Sequence, residues 1–232
     1  MNIAGLQKLT TSDFPGYLSC IIFTQGCNLK CPYCQNSGLI PMITEFEDNQ
    51  ISEYELFKFL EKRKGVLDGV VITGGEPLVH QNIKEFISKI KDIGYKVKLD
   101  TNGTNPILLK ELIDSNLIDY VAMDIKNDFQ NYARTVGIEN INVENIKKSI
   151  DILKTSNIDY EFRTTITKEF HNEKSIENIC EIVGVGAKLF IQNFEDSSNV
   201  INHDLHGFTH EELNLLQTNF ETKYPNFRVR GV

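Results

Sequence analysis

Leu18-Ser19-Cys20-Ile21-Ile22-Phe23-Thr24-Gln25-Gly26-Cys27-Asn28-Leu29-Lys30-Cys31-Pro32-Tyr33-Cys34 is an apolar run that opens into a cluster of thiols. Residues 18–24 are rich in β-branched and aromatic side chains and read as a strand. Gly26 lets the chain turn sharply as it leaves that strand. Pro32 keeps Cys31 out of the helical region and suits the first position of a short helical turn. Cys27, Cys31 and Cys34 are therefore expected to project from an irregular loop, spaced C-x3-C-x2-C. No fourth cysteine or histidine stands nearby. A structural zinc ion wants four protein ligands, whereas three thiolates suit a [4Fe–4S] cluster with one iron left open. A zinc site completed by a distant ligand such as His80 is the competing reading.

Working outward, the same pattern of strand, polar loop and helix recurs. Strands are expected at 69–73, 95–100, 120–125, 160–165 and 188–192, with an edge strand at 227–232. Helices are expected at 53–64, 83–93, 106–115, 141–156, 175–183 and 209–223. Ser52 is placed to cap the first of them, and Thr209 with Glu212 forms a capping box for the last. The polar segment 127–140 has room for one short helix. Alternating strands and helices imply a mainly parallel sheet. Six units fall short of a closed eight-fold barrel, so the choice lies between a doubly wound sheet and an incomplete barrel. Polar clusters follow nearly every strand: Gly74-Gly75-Glu76-Pro77, Asp100-Thr101-Asn102-Gly103, Asp124 and Lys126, Arg163, and Gln192 with Asn193. Function contributed by many strand ends favours a curved α/β sheet, a partial (β/α)6 TIM-like barrel forming one domain over 1–232 with its thiol loop at 27–34.

The totals narrow the function classes. Lys and Arg number 24 against 32 Asp and Glu, for a formal charge of −8. That balance argues against a nucleic-acid surface. No apolar run approaches the ~18–20 residues of a membrane span, and the N-terminus has no secretion signal. Three clustered cysteines among five fit a reducing cytoplasm rather than a disulfide framework. Cys20 and Cys180 read as small buried hydrophobes. His203 and His206 read as surface residues, and Glu45–Asp48 as a solvated loop.

Cys-x3-Cys-x-aromatic-Cys, with Tyr33 as the aromatic, resembles the signature of radical S-adenosylmethionine enzymes. The longer stretch from Gly5-Leu6-Gln7-Lys8 through Asp13-Phe14-Pro15-Gly16 and Phe23-Thr24-Gln25-Gly26-Cys27 to Gln35-Asn36 resembles the activating proteins of glycyl radical enzymes. Within them it is similar to the longer form of the anaerobic ribonucleoside-triphosphate reductase activating protein. The resemblance implies a partial (β/α)6 barrel and a cluster held by Cys27, Cys31 and Cys34. The open iron would chelate the methionine end of S-adenosylmethionine, whose reductive cleavage yields a 5′-deoxyadenosyl radical. It implies as partners a glycyl radical enzyme, most closely the anaerobic ribonucleotide reductase, and flavodoxin or ferredoxin as electron donor.

Other motifs are read beside that resemblance. Gly74-Gly75-Glu76 is a plain strand-to-helix turn, or the family's GGE motif meeting the methionine amino group. Asp100-Thr101-Asn102-Gly103 is an Asx-type turn. It also resembles a stretch of pyruvate formate-lyase activating enzymes, which implies a monovalent cation at Asp100, Thr101 and the Ala122 backbone. Asp124 and Lys126 share one strand face. They are a surface ion pair, or the family's Asp-x-Lys pair with Lys126 reaching the carboxylate of S-adenosylmethionine. Arg163 is a second cation for that carboxylate or a structural ion pair. Gln192 or Asn193 is expected near the adenosine, where some relatives have histidine. Gln35 stands where many relatives carry histidine after the third cysteine, and it cannot titrate near neutrality. Rival readings remain open: an activator of another glycyl radical enzyme, of the pyruvate formate-lyase type; a small-molecule enzyme such as a deazapurine synthase; and a non-catalytic iron–sulfur or zinc protein that binds or transfers electrons.

Overall fold

The computed structural model describes residues 1–42 and 51–230. The acidic connection expected through Glu45–Asp48 lies outside them, as does the end of the edge strand expected at 227–232.

Among the described residues, eight strands form one sheet in chain order. They are β1 (Ile3–Thr10), β2 (Ser19–Thr24), β3 (Gly69–Gly74), β4 (Lys96–Thr101), β5 (Tyr120–Asp124), β6 (Asp159–Ile166), β7 (Leu189–Asn193) and β8 (Phe227–Arg230). β1 is antiparallel to β2, and every later strand is parallel to the one before it. Helices α1 (Glu53–Arg63), α2 (Ile83–Ile93), α3 (Pro106–Asp114), α5 (Val143–Thr155), α6 (Glu173–Val183) and α7 (His210–Glu221) make the six crossovers from β2 to β8. A short α4 (Tyr132–Val136) precedes α5. Right-handed crossovers that all step the same way put every helix on one face of the sheet. The strand order never reverses, so there is no switch point of the doubly wound kind. The sheet instead curves around its other face, as a partial (β/α)6 barrel.

Side-chain alternation sorts the two faces. Cys20, Ile22, Val70, Ile72, Val97, Leu99, Val121 and Met123 point outward and share one buried core with Leu56, Leu60, Phe86, Ile87, Leu109 and Leu112 of the helices. The inward set is smaller and more polar. Ile21, Val71 and Tyr120 cluster with Phe14, whose ring lies 6.1 Å from that of Tyr120. The Asp13-Phe14-Pro15-Gly16 turn thus plugs the N-terminal mouth of the barrel. A methyl added to Gly69 would meet the Phe14 ring at 2.8 Å, so only glycine admits this plug.

Local signals account for the helix starts. Ser52 caps α1 and Thr209 caps α7, each in a reciprocal box with the glutamate three residues on. Asn172 and Ser175 form a third such box, which starts α6 two residues earlier than its apolar pattern suggests. β1 is an addition to the expected strands. It carries two register irregularities against β2, and its buried residues stand only at its two ends, Ile3 and Thr10, so its sequence shows no clean alternation. Among the described residues no helix is long and apolar enough to cross a membrane.

Candidate active site

A cavity of about 240 Å³ opens at the C-terminal ends of the strands. Cys27, Cys31, Cys34, Tyr33 and Gln35 of the thiol loop line one side of it. Gly74, Gly75 and Glu76 after β3 line it too, with Asp100, Thr101 and Asn102 from β4. Asp124, Lys126, Arg163, Thr165 and Gln192 complete it from β5, β6 and β7. The residues that the sequence nominates as cluster ligands and as S-adenosylmethionine contacts therefore meet in one space, whereas Asn193, His80 and Ala122 do not line it. A larger cleft of about 1070 Å³ lies at the opposite mouth, and no cysteine reaches it.

The thiol loop is fastened by its backbone. Cys27 N–H bonds the Ile40 carbonyl, Lys30 N–H the Val136 carbonyl, and Cys34 N–H closes a turn onto Cys31. The pair Gly74-Gly75 is pressed against this loop. Gly75 N–H reaches the Thr24 carbonyl at 2.9 Å, and Glu76 N–H reaches the Gly26 carbonyl at 2.8 Å. A β-carbon on Gly74 would lie 2.3 Å from the Thr24 nitrogen, and one on Gly75 2.0 Å from the Gly26 oxygen. These glycines thus serve a close approach of backbone to backbone, and their first neighbour is protein rather than ligand.

Glu76 is 1 % exposed. Its carboxylate accepts from Thr101 Oγ1 at 2.7 Å, from Asn102 N at 2.6 Å and from Leu78 N at 3.0 Å. Burial pushes its pKa up to about 7 against those three bonds. The Thr101 hydroxyl and the Asn102 amide are thereby committed, and the Asn102 side chain bonds Asn28 of the thiol loop. Asp100 is ion-paired to Lys98 and to Arg163. The expected cation site at Asp100 and Thr101 has both side chains engaged by protein partners.

Asp124 holds Lys126 at 2.9 Å and Arg163 at 2.9 Å. Burial alone would raise the Asp124 carboxyl, but Arg163 and Lys126 beside it hold it well below the usual carboxylate range. Lys126 stays a firm ammonium because Asp124 and Cys31 outweigh its burial. Burial lifts the Cys27 thiol to about 11, and it lifts Cys31 too, with Lys126 pulling both down. Tyr33 is buried beside Phe170.

The donor set fits an open iron–sulfur cluster. Among the described residues, no three of His, Cys, Asp and Glu are gathered to hold a single metal ion. His80, the expected fourth zinc ligand, does not line the cavity. Three thiols line one wall of the cavity, and Glu76 and Lys126 line it too; these residues would suit a cluster whose remaining site takes a zwitterionic ligand.

A family model described as the Radical SAM superfamily matches residues 21–183. The chain belongs to the radical SAM superfamily. Over 197 residues it is 37 % identical to a Methanocaldococcus jannaschii protein named as a glycyl-radical enzyme activating enzyme, covering 83 % of this chain and 80 % of that one. Over 89 residues it is 35 % identical to a 7-carboxy-7-deazaguanine synthase of Aquifex aeolicus, covering 38 % of each. In fold it is similar to a radical SAM methyltransferase from Sphaerobacter thermophilus, with a TM-score of 0.73 over 96 % of this chain and 68 % of that one, at 12 % identity. Membership implies a [4Fe–4S] cluster and S-adenosylmethionine, and the enzyme carries out radical SAM chemistry.

Several supporting residues escape a reading of the sequence. His171 is buried; its Nδ1 accepts from Thr167 N–H at 3.1 Å and its Nε2 donates to the Lys126 carbonyl at 2.9 Å. Tyr132 Oη accepts from Lys126 N–H at 3.4 Å. Together they pin the residue just past β5, where the strand ladder ends. The loop after β7 straps the thiol loop: Asn202 N–H bonds the Pro32 carbonyl, and Gln35 Nε2 donates to the Glu195 carbonyl at 2.9 Å. Asn193 holds that strap through Phe208 and does not line the site cavity. His203 and His206 are exposed and pair with Asp196 and Glu169.

Proposed function

We propose that this radical SAM protein activates a glycyl radical enzyme, with the anaerobic ribonucleoside-triphosphate reductase as its first candidate client. The observation that carries the reading is 37 % identity, over most of both chains, to a relative named as such an activating enzyme. The motif resemblance along residues 5–36 supports the choice of client.

Cys27, Cys31 and Cys34 would hold the cluster as thiolates. When bound, the cluster supplies one electron to the sulfonium of S-adenosylmethionine, giving methionine and a 5′-deoxyadenosyl radical that takes a hydrogen atom from a glycine of the client. The remaining residues orient and neutralise. Glu76, once ionised, would receive the methionine ammonium. Lys126 would receive its carboxylate, held in place by Asp124. Tyr33, Gln35, Asn102 and Gln192 would shape the nucleoside end, and Gly74 and Gly75 keep the Glu76 loop against the thiols. The electron donor is a flavodoxin or ferredoxin, and the setting is the cytoplasm.

A second reading has the same chemistry act on a small heterocycle, as similarity over 89 residues to a deazaguanine synthase suggests. The two separate in one experiment. Cluster-loaded, reduced protein is given S-adenosylmethionine with either the candidate reductase or a heterocyclic precursor of 7-carboxy-7-deazaguanine. The activating reading expects a glycyl radical signal on the reductase by electron paramagnetic resonance. Formation of 7-carboxy-7-deazaguanine, with no radical on the reductase, would replace it.

A further inference from the structure

Asp100 on β4 and Asp124 on β5 both face the barrel interior, and Ala122 separates them on the inner wall. Asp100 is in register with Ala122, and Asp124 with Arg163 on β6. Arg163 spans them both. Its Nε donates to Asp124 Oδ1 at 2.9 Å and its Nη1 to Asp100 Oδ2 at 3.0 Å. Reaching β4 from β6 means crossing two strand spacings, about 10 Å. The path is open because Ala122 presents only a methyl group there. The three side chains are largely buried, with 14 % of Arg163, 13 % of Asp100 and 29 % of Asp124 exposed.

Two carboxylates at one cavity wall repel each other unless a cation lies between them or one takes a proton. A metal ion drawn from solution is the usual answer to such a pair. Here a guanidinium fixed by its own strand fills that place. Charges then alternate along the wall from Lys98 through Asp100, Arg163 and Asp124 to Lys126. Each is flanked by opposite sign, and the chain ends on the ammonium beside the thiols.

We infer that Arg163 is the built-in counter-cation of the Asp100–Asp124 pair. It is a positioning residue that sets Asp124, and through it Lys126, so that S-adenosylmethionine binds without any added metal cation. This rests on the proposed seating of S-adenosylmethionine in the same cavity.

The test is equilibrium binding of S-adenosylmethionine to cluster-loaded, unreduced protein, so that no turnover intervenes. Binding is measured in potassium, sodium and choline chloride at equal ionic strength. The wild type is expected to bind with the same affinity in all three, within about twofold. R163A is expected to bind about tenfold more weakly in choline chloride, with partial recovery in potassium chloride or millimolar guanidinium. A merely structural arginine would give no such recovery. R163K serves if R163A loads poorly: its single ammonium cannot bridge both carboxylates, so it should acquire a salt preference. Tenfold tighter wild-type binding in potassium than in choline, or R163A binding like wild type in choline, overturns the inference alone. Wild type that binds in no salt overturns it together with the reading on which it rests.

Discussion

Glu76 Oε2 accepts the backbone N–H of Asn102 at 2.6 Å, so the loops that follow β3 and β4 are joined through one buried carboxylate. Thr101 and Leu78 supply its other bonds. Burial raises this carboxyl from an ordinary 4.5 to about 7. The folded chain therefore holds the proton more tightly than the unfolded chain does. The group's contribution to stability is fully present below about pH 4.5 and is lost as pH rises through about 7. A ligand ammonium needs the ionised form, so binding runs the opposite way. S-adenosylmethionine should bind roughly tenfold more weakly at pH 6 than at pH 8. E76Q should bind weakly at both, and titration calorimetry across that range checks the slope.

Gly75 lies under the Gly26 carbonyl, where a β-carbon would come within 2.0 Å of backbone. G75A must force the Glu76 loop away from the thiol loop. Overpacking of this kind costs about 1–3 kcal/mol, or about 2–4 °C of melting temperature per kcal/mol at this chain length. G186A is the control, because nothing lies within 4 Å of its added carbon. Thermal melts and iron loading of the two variants should differ accordingly.

Protonation of His171 would remove the acceptor for Thr167 N–H. Burial lowers its pKa from 6.5, so the unfolded chain takes up the proton first as pH falls. Its stabilising contribution is full above about pH 6.5 and declines as pH drops towards the folded value. H171A should flatten that slope and cost about 1–3 kcal/mol. H171Q, which keeps a donor and an acceptor, should retain more of the stability and of the Lys126 geometry. Denaturant unfolding at two pH values measures both effects.

Five free cysteines divide by position: Cys20 and Cys180 are packed in the outer core, while Cys27, Cys31 and Cys34 line the cavity. C27A, C31A and C34A should each lose most iron and sulfide after reconstitution. C20A and C180A should load like wild type. Visible absorption and iron assay decide this without any turnover.

Much of the fold was legible because strand ends are punctuated chemically. Asp124 closes the apolar run of β5 and Asp100 stands next to the end of β4, and in a curved parallel sheet such ends must converge. β1 was not legible, since an irregular edge strand with little to bury leaves no alternation to read. In the site, the residues that line the cavity could be nominated from local motifs. Their partners could not. His171 and Tyr132 lie beyond β5 in positions that only packing brings to Lys126, and no spacing rule links residues 126, 132 and 171. The pairing of Arg163 with Asp100 also depends on Ala122 being small, a property of the folded wall rather than of either motif.

The measurement that bears most directly on the central claim is anaerobic turnover. Reconstituted, dithionite-reduced protein is incubated with S-adenosylmethionine, and 5′-deoxyadenosine is quantified for wild type and C31A. The account predicts 5′-deoxyadenosine from the wild type and none from C31A. It would be contradicted by wild type that carries its cluster and forms no 5′-deoxyadenosine, or by C31A that forms as much as wild type.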